Sequence, residues 1–357
     1  MKRDDFRIQF ILKRNDNYNH LIDHESPTLS TGLYNSVSFI HDMLTTAGIN
    51  SDIAIVVDND CIDREVTRFK PNVCIIEALW VTPSKFSILT KLHPDVTWVV
   101  RLHSDMPFIA NEGIAMDWIA DYARFDKVLV GPNSHRMLRE VKEYLLATRM
   151  CNLQNINKKT PYLPNYYPLE FQSPKKLVSD SDTLNISCFG AVRPLKNHLM
   201  QAHAALRVAE NRKKKLNFHI NGNRLEQKGE PVLNNLKSMF SQVYDSGHRL
   251  IMHDWLPHDK FLELCGTMDV GMQVSFSETF NIVAADTVSM GVPIIGSREI
   301  PWCSVFFCAN PTDSRDIVSC LDLALTYPKI NNWLMKKCIR EYSRSTLKTW
   351  LHWINSL

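Results

Sequence analysis

Residues 269–297, DVGMQVSFSETFNIVAADTVSMGVPIIGS, carry the pattern that decides the fold. The apolar run at 269–275 predicts a strand, residues 281–290 predict a helix, and 292–297 predicts a second strand behind a Gly-Val-Pro turn. A strand, a helix and a strand in direct succession form a right-handed crossover between parallel strands. The stretch therefore predicts one unit of a parallel α/β sheet.

The same alternation runs through both halves of the chain. In the first half the predicted strands are 7–12, 52–57, 72–79, 97–103 and 127–131, and the predicted helices are 33–48, 83–93 and 134–148. In the second half, further strands are predicted at 184–190, 216–222 and 249–256, and helices at 196–210, 231–244, 258–265 and beyond 313. Each half thus reads as a Rossmann-like domain with ligands at the carboxyl ends of its strands, and two facing halves would form one cleft.

Proline density predicts where the two domains are joined. Four prolines, Pro161, Pro164, Pro168 and Pro174, fall within fourteen residues. Such a segment continues neither a helix nor a central strand. The sequence therefore predicts a first domain at 1–160, a linker at 161–182 and a second domain from 183.

Composition sets the broad class. The chain has 357 residues, 45% apolar and 22% charged, which is typical of a globular protein. No apolar run approaches the roughly 20 residues of a membrane span, and the N-terminus resembles a first strand more than a signal peptide. Nine cysteines without a CxxC pair predict reduced thiols, a cytoplasmic location and no zinc site.

Charge narrows the class of ligand. Residues 1–170 hold 19 basic and 21 acidic side chains, and the remainder holds 22 and 17, so the second half carries a net +5. A mildly basic half suits a small phosphate-bearing ligand. It falls short of the basic excess of a typical nucleic-acid-binding protein and leaves such binding to local patches.

A candidate anion site lies in CFGAVRPLKNH, residues 188–198. A strand is predicted to end at Gly190, followed by Arg193 in a loop and Lys196 at the start of a helix. Free N–H groups and the macrodipole make a helix start attractive to anions, so the two cations suit a diphosphate. The alternative is a solvated pair in a surface loop.

Two acids frame the next predicted helix. Ser277 or Thr279 could cap it. Glu278 would meet sugar hydroxyls, and Asp286 would accept hydrogen bonds from vicinal hydroxyls such as those of a ribose. At 100° per residue the two acids fall about 80° apart, two turns along one helix side. The alternative makes Glu278 a helix-dipole acid and Asp286 part of a solvated face, although the neighbours of Asp286 are small or apolar.

Taken in order, these motifs resemble a known family. Arg193 and Lys196, Asn221-Gly222-Asn223, HDWLP at 253–257, Glu278-x7-Asp286 and SMGVPIIGS at 289–297 are similar to the donor half of retaining GT-B glycosyltransferases, the glycosyltransferase family 4 and glycogen-synthase-like group. The resemblance covers residues 188–297. It implies an α/β GT-B fold, a nucleotide-sugar domain at 183–335, and a final helix at 336–357 that crosses back to the first domain.

The resemblance also implies roles for individual residues. Arg193 and Lys196 would bind the donor diphosphate, Glu278 the transferred sugar and Asp286 the ribose. Other donor contacts implied are Gly190, Asn221, Gly222, Trp255 and Leu256 at the nucleobase side, and the amides of Thr279, Phe280 and Asn281. In the first domain the implied sites are Gly32, which would allow close approach of a ligand, and His103 near the sugar, with weaker matches at Tyr34, Asn133 and Ser134.

Two departures from the family pattern are visible. Asp286 stands where the second acid is usually a glutamate, which shortens its reach by one methylene. The spacing of Arg193 and Lys196 is one residue tighter than usual. The ribose contact and the assignment of each cation to a phosphate are therefore open at this stage.

The implied reaction uses a nucleotide sugar, with UDP favoured by frequency in the family, and no other cofactor. Fixed cations and helix amides can stabilise the leaving diphosphate, so no metal is expected, and no Asp-x-Asp motif is present on a predicted loop. Retention of configuration is implied by the resemblance alone. The oligomeric state is left open.

The acceptor is less constrained. The polar loop at 13–31 contains Lys13, Arg14, Asn15, Asn17, Tyr18 and His20, a set that suits phosphates and bases or a saccharide. IQFILKRNDNY at 8–18 and RLHSDMPF at 101–108 resemble glycosyltransferases of tailed bacteriophages. That resemblance implies 5-hydroxymethylpyrimidine in double-stranded phage DNA as acceptor, with the basic run 212–215 as a further contact or merely a solvated helix end.

Three alternatives remain at the level of sequence. One is a glycosyltransferase acting on a cell-envelope saccharide. The second is a nucleotide-sugar epimerase of the same two-domain shape, which needs no acceptor. The third is a non-catalytic module that binds a nucleotide sugar or DNA.

Overall fold

The structure is a computed structural model that describes residues 6–13, 32–168, 170 and 181–357. The described residues divide into two compact units. The first contains 6–13, 32–168 and 343–357, and the second contains 170 and 181–342. Of the loop predicted to face the acceptor, Arg14, Asn15, Asn17, Tyr18 and His20 lie outside the described residues.

A five-stranded parallel sheet forms the centre of the first unit, in the order β2-β1-β3-β4-β5. Its strands are β1 Arg7–Lys13, β2 Asn50–Val56, β3 Val73–Glu77, β4 Thr97–Leu102 and β5 Val128–Pro132. Phe10 pairs with Ile53 on one side and Ile75 on the other. Strands covered on both faces read as continuous apolar runs, and β3 and β5 are buried along their whole length.

Helices cover both faces of this sheet. They are α1 Gly32–Thr46, α2 Ile62–Phe69, α3 Pro83–Leu92, α4 Met106–Ile109, α5 Ala115–Arg124, α6 His135–Ala147 and α7 Ile156–Lys159. Helices α2, α4, α5 and α7 were not predicted from the sequence. Helix α2 has only eight residues and buries two of them, Ile62 and Val66, which is too short a pattern to separate from a loop.

The second unit has a parallel sheet in the order β10-β9-β6-β7-β8. Its strands are β6 Thr183–Val192, β7 Lys215–Leu225, β8 Arg249–Met252, β9 Val270–Gln273 and β10 Ile294–Gly296. Its helices are α8 His198–Asn211, α9 Gly229–Gln242, α10 His258–Cys265, α11 Ile282–Ser289, α12 Ser314–Thr326 and α13 Pro328–Asn355. Strands β9 and β10 are parallel neighbours joined by α11, which confirms the unit predicted from residues 269–297.

The long helix α13 belongs to both units. Its residues from Ser343 onward lie in the first unit, where Trp350 is fully buried and donates through Nε1 to the carbonyl of Pro164 at 2.9 Å. The hydroxyl of Ser343 donates to the carbonyl of Tyr167 at 2.9 Å. These contacts pack residues 161–168, part of the segment predicted as a linker, into the first unit. The prediction of two α/β domains with a C-terminal helix returning to the first is confirmed.

Several strand ends differ from their predictions. Strand β6 does not end at Gly190 but continues to Val192, because a register shift against β7 between Ser187 and Ala191 lets the chain bulge. Gly190 accommodates this bulge with a φ of 111°, a value that favours glycine. Strand β8 ends at Met252, four residues before the predicted end.

Candidate functional site

The residues predicted to bind an anion follow two adjacent strands of the second unit. Strand β6 pairs with β7 on one side and with β9 on the other. The chain therefore leaves β6 in one direction and returns to its other side at β9, which makes the carboxyl ends of β6 and β9 the switch point where such sheets bind ligands. Arg193 and Lys196 follow β6, and Glu278 follows β9.

Lys196 and Glu278 form the centre of this site. Nζ of Lys196 donates to Oε1 of Glu278 at 2.5 Å, and the two side chains are only 10% and 8% exposed. Both residues were predicted to bind the same ligand, but the contact between them was not predicted. The pair places a nearly buried ammonium and carboxylate at the switch point.

Buried polar residues hold the loop of Lys196 against the segment after β9. Gln201 donates through Nε2 to the carbonyl of Lys196 at 2.7 Å, and its Oε1 accepts from the amide of Val274 at 2.8 Å. Asn197 donates to the carbonyl of Val274 at 3.1 Å, and the amide of Phe276 donates to the carbonyl of Leu195 at 2.9 Å. Gln201 and Asn197 were not predicted as site residues; both fall inside the first turns of the helix predicted at 196–210.

Lys196 does not lie at the start of a regular α-helix as predicted. A single 3-10 turn, Pro194–Lys196, comes first, and α8 begins at His198 after Asn197, whose φ is 58°. The helix start is therefore displaced by two residues. His198 is buried beneath this loop, and burial together with the charges of Lys196 and Arg193 lowers its pKa to about 3, so its imidazole is neutral.

Gly190 and Asn221 meet at the end of β6. The amide of Gly190 donates to Oδ1 of Asn221 at 2.8 Å, and Asn221 is buried. The side chain of Lys196 passes close by, with its Nζ 4.0 Å from the position that a Cβ on Gly190 would occupy. At the neighbouring Gly222, a Cβ would lie 2.9 Å from the side chain of Met252, so only glycine fits without displacement.

A chain of charged contacts links Arg193 to Trp255. Nη1 of Arg193 lies 3.0 Å from Oε2 of Glu226, and Nε of Arg224 donates to Oε1 of the same carboxylate at 2.7 Å. The guanidinium of Arg224 stacks over the indole of Trp255 at 4.2 Å. The structure therefore connects the residue predicted to bind phosphate with the one predicted to hold the nucleobase. The connecting residues, Glu226 and Arg224, were not predicted. The adjacent Leu256 is half-buried.

The cap of α11 differs from the prediction. Asn281, rather than Ser277 or Thr279, is the N-cap, because its Oδ1 accepts from the amide of Ala284 at 3.0 Å. Its Nδ2 donates to Oε1 of Gln273 at 2.9 Å. Glu278 therefore lies outside the helix, and the predicted angle of about 80° between it and Asp286 does not apply.

Asp286 contacts a histidine. Its carboxylate is 2% exposed and lies 3.0 Å from Nε2 of His258, at the start of α10. Burial opposes protonation of His258, but the hydrogen bond and charge of Asp286 outweigh it and raise the pKa of the imidazole. The sequence analysis missed His258, which precedes Asp286 by 28 positions and gave no local signal.

The segment between Glu278 and α11 is anchored by aromatic residues. Thr279 and Phe280 are buried. The carbonyl of Phe280 accepts from Nε1 of Trp302 at 2.8 Å, and its ring contacts those of Trp302 and Tyr342 at centroid distances of 6.1 and 5.6 Å. The side chain of Phe280 therefore packs within the protein. The predicted contact of Phe280 with a ligand would be made by its main-chain amide alone.

His103, in the first unit, belongs to a buried charge cluster. Its Nε2 contacts Oε2 of Glu77, and Nη1 of Arg101 lies 3.1 Å from the same oxygen. Arg101 also contacts Oδ1 of Asn165 and donates through Nε to the carbonyl of Leu163 at 2.9 Å. Burial and the charge of Arg101 lower the pKa of His103, although Glu77 acts in the opposite sense.

The carboxylate of Glu77 is charged despite its burial. Burial raises its pKa, but Arg101 and His103 together outweigh this effect, and the net shift is downward. The cluster lies at the carboxyl ends of β3 and β4. Glu77, Arg101 and Asn165 were not predicted as site residues.

The other site residues predicted in the first unit lie on or beside α1, β5 and α6. Gly32 begins α1, and its carbonyl accepts from the hydroxyl of Ser36 at 2.8 Å. Ser134 caps α6 by accepting from the amide of Met137 at 3.0 Å. Asn133 is fully buried at the end of β5, whereas Tyr34 is exposed on α1.

The basic run 212–215 is partly engaged within the protein. Arg212 donates through Nε to Oδ1 of Asp322 at 2.7 Å, and Nζ of Lys214 donates to the carbonyl of Ser181 at 2.9 Å. Lys213 and Lys215 are exposed. The run therefore presents fewer cations to a ligand than its sequence indicates.

The described residues contain neither a candidate metal site nor a candidate membrane-spanning helix. Across 6–13, 32–168, 170 and 181–357, no three His, Cys, Asp or Glu side chains are grouped so that they could hold a metal ion. In the same part of the chain, no helix combines the length and apolar character that crossing a membrane requires.

Comparisons with known proteins identify the fold. No family model and no curated protein matches the chain. Among solved structures, the UDP-forming α,α-trehalose-phosphate synthase of Burkholderia vietnamiensis is similar over 98% of this chain and 97% of its own, with a TM-score of 0.71 and 10% identity. The sucrose-phosphate synthase of Thermosynechococcus elongatus is similar over 98% and 97%, with a TM-score of 0.63 and 13% identity.

A third similar structure is S. aureus TarM, in complex with Fondaparinux, alpha-GlcNAc-glycerol and UDP. It matches over 82% of this chain and 58% of its own, with a TM-score of 0.58 and 10% identity. At these identities the likeness establishes the fold. The chain has the two-domain α/β architecture of the GT-B fold.

Proposed function

We propose that this protein is a glycosyltransferase that transfers a sugar from a nucleotide-diphosphate sugar to an acceptor hydroxyl. The observation that carries the proposal is the position of Lys196, Glu278 and Arg193 at the switch point of the second sheet. The GT-B fold supports it, and two of the similar structures have UDP in their descriptions. UDP-sugar is accordingly the donor that we propose.

Two cations suit the diphosphate of such a donor. Lys196 is held by Glu278 and by the main-chain contacts of its loop, and Arg193 is held by Glu226. Positive charge fixed in advance stabilises the developing charge of a leaving nucleoside diphosphate without reorganisation during the reaction. The proposed reaction therefore needs no metal ion.

Glu278 is proposed to orient the transferred sugar. Its carboxylate is held by Lys196 and lies before α11 rather than within it. Its oxygens can accept hydrogen bonds from sugar hydroxyls, so the role proposed for Glu278 is orientation of the sugar and not proton donation. We propose retention of configuration, with the leaving phosphate taking the proton of the acceptor hydroxyl.

The nucleoside is proposed to bind at Asp286, Trp255 and Leu256. The indole of Trp255, stacked with Arg224, offers a flat surface for a base. Asp286 is proposed to accept hydrogen bonds from the ribose, a role in which it shares its carboxylate with His258. Gly190, Asn221 and Gly222, all buried in β6 and β7, are proposed as further donor contacts. His103 is proposed to bind a sugar hydroxyl.

For the acceptor we propose 5-hydroxymethylpyrimidine in DNA. The support is the resemblance of residues 8–18 and 101–108 to bacteriophage glycosyltransferases. A base acceptor of this kind is taken out of the duplex before it reacts. The exposed Lys213 and Lys215 are the described cations proposed to meet the phosphate backbone.

A saccharide acceptor is the second candidate, and one observation favours it. The descriptions of the similar structures name a trehalose-phosphate synthase, a sucrose-phosphate synthase and a complex with alpha-GlcNAc-glycerol. Small hydroxyl compounds are therefore the acceptors or products that these descriptions name, and none names DNA.

One experiment tests donor and acceptor together. Purified protein is incubated with a panel of nucleotide sugars and with hydroxymethylated DNA, unmodified DNA, or phosphorylated monosaccharides. Products are read by mass spectrometry and released nucleotide by chromatography. A hexose or pentose mass added only to hydroxymethylated DNA supports the DNA proposal, and a sugar added only to a saccharide supports the second candidate.

The same assay separates the remaining alternatives. An epimerase would convert the donor without any acceptor. A non-catalytic module would bind nucleotide without consuming any donor, and Glu278→Ala would leave its binding function intact. Consumption of a donor only in the presence of an acceptor is the result expected of a transferase.

A further inference from the structure

Two of the nine cysteines lie together at the end of β10. Cys308 forms a parallel bridge with Gly296, and its Sγ lies 3.6 Å from the carbonyl oxygen of Ser297. The Sγ of Cys303 lies against the same glycine, 2.9 Å from the position that a Cβ on Gly296 would occupy. Both sulfurs are therefore gathered around residues 296–297.

The turn between the two cysteines is short and open to solvent. A 3-10 turn, Val305–Phe307, brings their main chains together, with the amide of Cys308 donating to the carbonyl of Val305. Val305 and Phe306 are 64% and 70% exposed, and both cysteines are only half-buried. The pair therefore lies beside a solvent-exposed turn, and each cysteine is itself partly exposed.

The two thiols differ in acidity. The neighbouring thiol of Cys303 lowers the pKa of Cys308, burial acts against this shift, and the positive charge of Arg298 adds to it. The neighbouring thiol of Cys308, together with burial, raises the pKa of Cys303. A partly exposed thiol in a positive environment is the usual setting of a reactive cysteine, because the thiolate is the nucleophile.

We propose that Cys303 and Cys308 are a redox-active dithiol that closes to a disulfide across residues 304–307 in reaction with a small-molecule disulfide. In the first step the thiolate of Cys308 attacks one sulfur of the reagent, and the other sulfur leaves as a thiolate. In the second step Cys303 loses its proton to solvent and attacks Sγ of Cys308, releasing the second reagent thiol. The protein loses two electrons and two protons, and the reagent is reduced to two thiols.

Oxidation of the Cys303–Cys308 pair is coupled to the position of the segment that carries Phe280. Trp302, the neighbour of Cys303, donates its indole N–H to the carbonyl of Phe280. The thiol of Cys303 also contacts Sδ of Met335 at 3.9 Å, a contact that the disulfide would replace. A shift of Cys303 toward Cys308 therefore moves the anchor of residues 277–281. The dithiol chemistry does not depend on glycosyl transfer.

The test uses the reduced full-length protein and oxidised glutathione. After timed incubation the reaction is stopped with acid, free thiols are alkylated, and peptides are mapped by mass spectrometry. The expected result is a Cys303–Cys308 disulfide that forms well before Cys151, a half-buried cysteine of the first unit, is modified. Modification of Cys308 no faster than Cys151, or a glutathione adduct that persists on Cys308, would overturn the proposal.

Variants identify the attacking sulfur. Cys303→Ser is expected to stop at a glutathione adduct on Cys308, and Cys308→Ser to react slowly at Cys303, whereas the control Cys151→Ser behaves as wild type. Phenylarsine oxide, which bridges two adjacent thiols, provides a second measurement on the wild-type protein. It is expected to bind one equivalent and to protect both cysteines from alkylation, and failure to protect them contradicts the proposal.

Hydrogen exchange tests the coupling without reference to activity. The amides of 277–284 are expected to exchange at different rates in the reduced and the oxidised protein, while those of β1 in the first unit are unchanged. Identical exchange of 277–284 in a protein shown to contain the disulfide would disprove the coupling.

Discussion

Nζ of Lys196 lies 2.5 Å from Oε1 of Glu278, although 82 positions separate the two residues in the chain. The contact arises because Lys196 follows β6 and Glu278 follows β9, and these two strands are neighbours in the sheet. A pair of nearly buried opposite charges has consequences for stability and for ligand binding that can be measured separately.

The first prediction concerns stability. Lys196→Met leaves the carboxylate of Glu278 without its cation, and removing one partner of a buried pair costs about 3 kcal/mol or more. Urea unfolding is expected to show a loss of this size, and Lys196→Met combined with Glu278→Gln to recover part of it. Additive losses in the double variant would mean that the two charges do not stabilise each other.

The second prediction concerns activity. Glu278→Gln retains the shape of the side chain but weakens its hold on sugar hydroxyls and on Lys196. We expect turnover to fall about 100-fold, in the range seen when one electrostatic contact to the reacting group is lost, with UDP affinity changed much less. The control Glu263→Gln alters an exposed carboxylate on α10 that pairs with Lys260, and turnover should be unchanged.

The third prediction concerns the buried cluster of the first unit. Arg101→Met removes the guanidinium paired with Glu77 in the core and leaves that carboxylate with His103, and we expect a loss of about 3–5 kcal/mol in the free energy of unfolding. The matched control is Arg136→Met, which breaks a partly exposed pair with Glu140 on α6 and should cost at most about 0.5 kcal/mol. Equal losses in the two variants would contradict the central role of Arg101.

The fourth prediction is a pH dependence. The pKa of His258 is raised in the folded state, so the stability that its pair with Asp286 contributes is complete below the unfolded pKa of about 6.5 and is lost as pH rises through the folded pKa. The difference in unfolding free energy between wild type and His258→Gln should therefore shrink from pH 6 to pH 8.

His135 provides a control of opposite sign for the pH series. Burial lowers its pKa, so protonation opposes folding and stability falls as pH decreases below about 6.5. The difference between wild type and His135→Gln should therefore move in the opposite direction over the acidic range. A pH-independent difference for His258→Gln would show that its pairing with Asp286 does not depend on charge.

The fifth prediction concerns the start of α11. Asn281 has a φ of 62° and caps the helix, so Asn281→Ala loses the cap and puts an alanine in the left-handed region, which asparagine tolerates better. Thermal unfolding should show a loss of about 1–2 kcal/mol. Asn281→Gly loses the same side-chain hydrogen bonds but tolerates the conformation, and it should be less destabilising than the alanine variant.

The parallel sheets could be predicted from the sequence because their signal is local. The apolar runs around residues 10, 75, 99 and 129 and the helices between them are patterns of a few consecutive residues, and alternation of strand and helix restricts the topology to parallel order. Helices α2, α4, α5 and α7 were not predicted. Helices α4 and α7 have four residues each and α2 buries two side chains, so these three show too few apolar positions to define a period.

The candidate site was predictable only where a motif was continuous in the chain. The sequence by itself determined the fold class and the positions of Arg193, Lys196 and Glu278 after their strands. Only the tertiary structure decided that Glu278 contacts Lys196, that Asp286 contacts His258, and that Asn281 rather than Ser277 caps α11. Contacts of this kind depend on strand order and on the path of each loop. Those are set by packing of residues far apart in the chain, which local periodicity does not encode.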